Sequence, residues 1–136
     1  MRATQQQARD WFAGAPVARL ATAGQDGQPH LVPVTFAAVD DEIAIAIDHK
    51  PKRTTALRRL RNIRDNPRVA LLADHYEDDW AQLWWVRVDG WAEVGDAAER
   101  PDLVDALAAK YAQYRQHRPD KALITVSAQR WSGWHA

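Results

Sequence analysis

Between Asp48 and Thr55 the chain reads Asp-His-Lys-Pro-Lys-Arg-Thr-Thr, which puts Lys50, Lys52 and Arg53 just ahead of a helical pattern. The free amides that open a helix carry partial positive charge and favour an anion. Full cations at that position oppose the dipole unless an anion lies between them, and a guanidinium holds a phosphate by two hydrogen bonds. Two readings of the segment follow, a phosphate cradle from His49 to Thr54 or a solvated basic loop. The surrounding charge is uneven: eight Lys or Arg and a single acid, Asp65, lie between Lys50 and Arg68, while Asp74, Glu77, Asp78 and Asp79 cluster further on. The arginines of the 54–65 segment could contact nucleic acid. Against that, no aromatic platform adjoins them and the formal net charge of the chain is zero.

Other chemistry is sparse. With no cysteine there is neither a thiolate nucleophile nor a disulfide framework. His30, His49, His75, His117 and His135 are scattered, with no metal-spaced pair on one helical turn. His75 with Asp74, Asp78 and Asp79 reads as a solvated acidic loop rather than a metal site. Nucleophile-elbow, P-loop and dinucleotide fingerprints are absent. A chain so equipped takes its chemistry from an organic cofactor. Seven tryptophans are the conspicuous apolar feature. Trp84 and Trp85 are neighbours on a strand, so they point to opposite faces, and at most one lies in the same core. The other covers a subunit interface or a flat ligand.

The elements that would hold these residues follow from periodicity. Ala8, Trp11 and Phe12 share one side of a helix over 4–13. Strands are predicted at 17–22, 29–37, 42–48, 68–73, 82–94 and 123–127, with the first hairpin turning at Gly24-Gln25-Asp26-Gly27. Pro33 cannot donate to a ladder, so its position faces an open edge, a bulge or a ligand. Leu57, Leu60 and Ile63 share a helical face that Asn66-Pro67 ends. Val104, Leu107, Tyr111 and Tyr114 mark a helix over 97–116. At 136 residues this makes one domain, 1–136, mostly β with short helices, in which six antiparallel strands curl into a closed or split barrel. The polar start and short apolar runs predict a cytoplasmic protein with no membrane span.

Four blocks in this order, Ala18–Thr22, Asp26–Val34, Asn66–Leu72 and Trp85–Glu93, resemble the pyridoxamine 5′-phosphate oxidase-like, FMN-binding split-barrel family. The stretches Lys50–Thr55, Asp74–Tyr76 and Leu83–Trp85 look closest to its actinobacterial branch, assigned to the deazaflavin coenzyme F420. The resemblance implies a homodimer with cofactor sites at the interface, each lined by Val32, Pro33, Val34 and Thr35 on the second strand. It also implies that Asp48, His49, Lys50, Lys52, Arg53 and Thr54 hold the chain and phosphate. Arg58 and Arg59 are the alternatives by spacing from Asn66-Pro67. Trp84, Trp85 and Arg87 of the other subunit would stand near the ring. The implied activity is F420-dependent hydride transfer to a small organic substrate. FMN-dependent oxidase or reductase chemistry, or a non-catalytic flavin- or haem-binding role, are the alternatives. No proton donor stands out beyond His49, Tyr76 and ordered water.

Overall fold

The computed structural model describes residues 1–47 and 54–136, with side chains from residue 57 onward in the second stretch. Helix α1 (Gln5–Gly14) opens on a reciprocal cap: Thr4 Oγ1 accepts the Gln7 N–H at 3.1 Å, and Gln7 Oε1 accepts the Thr4 N–H at 2.9 Å. Its buried face, Ala8 and Phe12, sets Phe12 against Phe36 and Trp131, with ring centroids 4.6 and 5.6 Å away.

Seven strands follow: β1 (Ala18–Ala23), β2 (Pro29–Val34), β3 (Ala37–Val39), β4 (Glu42–Ala46), β5 (Arg68–His75), β6 (Trp84–Asp96) and β7 (Ala122–His135). They form one antiparallel sheet in the order β2-β1-β5-β6-β7-β4-β3. Seven strands replace the expected six because the 29–37 run breaks at Thr35-Phe36. Phe36 is fully buried, and its N–H and C=O both turn to the Tyr111 hydroxyl, at 3.1 Å each, instead of to a neighbouring strand. Nor is the sheet closed. Strands β2 and β3 are its two edges, which is where Pro33 can be accommodated without losing a ladder bond.

The long strands β6 and β7 bend the sheet at a register shift between Asp89 and Gly90. A Cβ at Gly90 would lie 2.6 Å from the Ser127 carbonyl oxygen, so only glycine fits there. The last strand, expected over 123–127, runs on to His135 as the second half of β7, which pairs with β6 as far as Trp84 and His135. Helix α2 (Thr54–Asp65) crosses β1 and β6 and buries Leu60 and Ile63. Leu57, expected on the same face, is 52% exposed. Asn62 Nδ2 donates to Thr22 Oγ1 at 3.1 Å inside the protein, a satisfied polar pair that fixes α2 on the sheet.

The single helix expected over 97–116 is a short 3-10 turn (Ala97–Glu99), then α3 (Pro101–Lys110) and α4 (Ala112–Gln116). Pro101 is tolerated only in a first helical turn, and Tyr111 is extended because its hydroxyl is pinned elsewhere. Leu103, Val104 and Leu107 bury against Ala37, Ala44 and Leu123 in a second hydrophobic cluster beside the main core. Among the described residues, no helix is long and apolar enough to cross a membrane.

Candidate functional site

A cavity of about 500 Å³ opens where the ends of β2 and β4 meet α2 and α4. Pro33, Val34 and Thr35 supply one wall, Ile45 to Ile47 another, Arg59 comes from α2, and Gln113, Tyr114, His117 and Pro119 close it from α4. The walls are apolar with a few polar groups converging, and the size falls within the range of about 300–1,000 Å³ common to small-molecule pockets.

Arg59 is the electrostatic peculiarity. Its Nε is buried and has no hydrogen-bond partner among the described residues, and burial pulls its pKa below the ordinary guanidinium value. A guanidinium does not deprotonate in a protein, so the charge persists with no compensation among the described residues. Isolated buried charge is costly, and an anion in the cavity would remove that cost. On β2, His30 has the same signature. Its Nδ1 is buried without a partner among the described residues, and burial, then the charges of Arg58 and Arg59, lower its pKa and hold it neutral.

The α3–α4 wall is held by two tyrosines in different ways. Tyr111 Oη receives the Phe36 N–H and offers its proton to the carbonyls of Pro16, at 2.9 Å, and Phe36. Burial raises its pKa, so it stays a phenol. Tyr114 Oη meets Thr35 Oγ1 at 2.7 Å at the cavity, and the two rings pack edge to face at 5.6 Å. Lys110 ties the end of α3 down: its Nζ donates to the Ala15 carbonyl at 2.7 Å and lies 3.7 Å from the Phe36 ring centre. Burial there lowers its pKa to about 8.

The sequence-derived site residues divide into three groups. Pro33, Val34 and Thr35 meet in the cavity, while Val32 packs against the main core. Asp48, His49, Lys50, Lys52 and Arg53 lie outside the described residues. Thr54 begins α2, and its side chain is likewise outside them. Trp84 and Trp85 do point apart. Trp84 packs on the core and on Trp11, at 5.6 Å, whereas Trp85 lines a separate cleft of about 670 Å³ with Arg2, Arg9, Arg87 and Arg130. Within one chain neither tryptophan reaches the Pro33–Thr35 cavity. Gln113, Tyr114 and His117 were not foreseen there. Their only signal was that Tyr114 continued an apolar helical face. No group of three or more metal-binding side chains occurs among the described residues, so the His75 loop gathers none.

This open, mostly antiparallel sheet with short helices is a split-barrel fold. The model of the pyridoxamine 5′-phosphate oxidase family matches residues 4–135, and the chain belongs to that family. Solved structures share the fold. An FAD-binding protein from Mesorhizobium loti superimposes with a TM-score of 0.73 at 20% identity, covering 98% of this chain and 95% of its own. A conserved hypothetical protein from Mycobacterium tuberculosis gives 0.75 at 24% identity, covering 98% and 85%. The haem storage protein HutZ of Vibrio cholerae gives 0.71 at 14%, covering 96% and 93%. No curated protein matches the sequence.

Proposed function

We propose that the cavity holds the phosphate-bearing part of a flavin-type cofactor, F420 in the first instance and FMN in the second, and that the protein is a hydride-transfer oxidoreductase. The observation that carries this reading is Arg59, a half-buried guanidinium whose Nε is enclosed and unpaired, lining a cavity with no acid beside it among the described residues. Its guanidinium would take the phosphate, and the basic run Lys50, Lys52 and Arg53 just before α2 would add charge around it. Pro33 and Val34 on the β2 edge, with Ile45 and Ile47, would give the ring a dry apolar wall. The bound cofactor supplies the hydride; the chain orients it and excludes water.

A second copy of the chain completes the site in this proposal. The outer face of β2-β1-β5-β6-β7 is lined by Leu31, Ala21, Leu72, Arg87, Trp85 and Trp91, while α1 and α2 pack on the inner face. Leu31 is 67% exposed and Trp91 44%, apolar surface that an isologous dimer would cover. Trp85 and Arg87 of one copy would then stand over the cofactor of the other.

Fluorescence titration tests the reading. Quenching of F420 or FMN by the intact protein is expected, and Arg59→Ala should weaken it by about tenfold to a hundredfold, as loss of a charge-assisted hydrogen bond implies. Quenching of neither cofactor would sink the proposal. A non-catalytic role stays in view because structural relatives include an FAD-binding protein and a haem store. Tight binding with no turnover of any enone, quinone or nitro compound would favour it.

A further inference from the structure

The two tyrosines of the α3–α4 wall differ in what their hydroxyls have left to give. Tyr111 is fully engaged, accepting from Phe36 N–H and donating to backbone carbonyls. Among the described residues, the Tyr114 and Thr35 hydroxyls have only each other. Two hydroxyls carry two donors and four lone pairs between them, and their mutual bond uses one of each. One donor and several lone pairs therefore remain at the wall of the cavity. The cavity they face is walled by the apolar Pro33, Val34 and Pro119 together with the polar Gln113 and His117, none of which bonds to either hydroxyl among the described residues. Spare donor and acceptor capacity fixed side by side suits a ligand edge that offers a carbonyl and an N–H together.

We propose that the Thr35–Tyr114 hydroxyl pair is a specificity element that reads the carbonyl/N–H edge of a planar heterocycle, while Arg59 holds that ligand's anionic group. This rests on the flavin-type reading above and adds to it a neutral recognition site on α4, separate from the charged one on α2. The pair is well placed to discriminate. Tyr111 and Lys110 anchor the helical wall to Phe36, Pro16 and Ala15, so the Tyr114 hydroxyl is presented by a rigid support rather than a free side chain. A ligand with the wrong edge would leave both hydroxyls unpaired on one side, which disfavours it more than the right edge is favoured.

The test uses the full chain with FMN and riboflavin, which share the ring and differ in the phosphate. Tyr114→Phe keeps the ring and its packing, so its melting temperature should match the unchanged protein. It should weaken both ligands by the same factor, about fivefold, the loss of one neutral hydrogen bond. Arg59→Ala should weaken FMN and leave riboflavin nearly unaffected. Thr35→Val should give a loss of similar size, and the double variant should lose more than either single one but less than their sum, because the two hydroxyls share a hydrogen bond. Difference infrared spectra of bound riboflavin should show a ring carbonyl band displaced by Tyr114→Phe. An unchanged band, or unchanged affinity for both ligands, overturns the assignment while leaving the flavin reading intact. Failure of the unchanged protein to bind FMN, riboflavin or F420 overturns both.

Discussion

Arginines at two places in this molecule have opposite surroundings. Arg100, at the start of α3, is gripped by Glu42 at 2.8 Å and Asp102 at 3.0 Å, and on the outer sheet face Arg87 meets Asp89 at 3.2 Å and Arg19 meets Asp74 at 3.3 Å. These pairs are partly or largely exposed, where an ion pair contributes little and salt weakens it. Arg59 is more buried and has no acid at all among the described residues. The contrast separates charge that fastens the fold together from charge kept in reserve for something else. A paired arginine explains itself; a buried unpaired one points to a missing anion.

The largest expected effect on that contrast comes from Arg59→Met. It removes an uncompensated charge and keeps apolar volume, so thermal stability should hold or rise while FMN affinity falls at least tenfold. A variant that unfolds instead would make Arg59 structural. Next comes Arg100→Met, which frees Glu42 and Asp102 from their shared cation. Melting temperature should fall, most clearly at low salt, with cofactor affinity unchanged. Loss of binding with stability kept would reverse the roles of the two arginines. The Arg100 guanidinium also holds the Glu42 and Asp102 carboxyls below their usual range, chiefly through its hydrogen bonds to them. Their stabilising contribution is present at neutral pH and is lost as the pH falls through their depressed values, so Arg100→Met should flatten the acid side of the stability profile.

Lys110 gives a smaller effect on the alkaline side. Its folded pKa, about 8, lies below the unfolded value, so the unfolded chain holds more protons between the two. Stability should therefore rise as pH increases from about 8 towards 10. Lys110→Met should abolish that rise, measured by denaturant midpoints across the range. Smallest of all is Trp91→Ser on the outer face, which should leave the monomer's fold unchanged and shift sedimentation toward the monomer. An unshifted profile would remove Trp91 from the dimer interface.

Much of this arrangement was legible in the sequence. The Gly24–Gly27 turn, the apolar face of α1, Leu60 and Ile63 of α2 though not Leu57, and the opposed tryptophans on β6 follow from period and turn chemistry. Gly27 indeed has the positive φ, 72°, that such a turn needs. The break after Val34 was hidden because residues 29–37 keep a strand-like composition throughout. The cause is the Tyr111 hydroxyl, seventy-five residues away, capturing the Phe36 backbone. The same contact interrupts the long helix, so one tertiary hydrogen-bond centre accounts for both misread boundaries. Arg59 was named only as one of two alternatives. Four arginines decorate α2, and which of them is buried depends on how β2 and β4 close beneath it, a fact no local pattern carries. Tyr114 stands in the sequence only as part of a helical face, because a tyrosine on an apolar face looks alike whether it packs or lines a cavity.

The most direct measurement is a crystal structure of the protein soaked with F420 or FMN. The account predicts the phosphate within hydrogen-bond distance of the Arg59 guanidinium, in the cavity walled by Pro33, Thr35 and Tyr114. A cofactor lodged instead in the Trp85 cleft among Arg2, Arg87 and Arg130, with the Arg59 cavity empty, would contradict it.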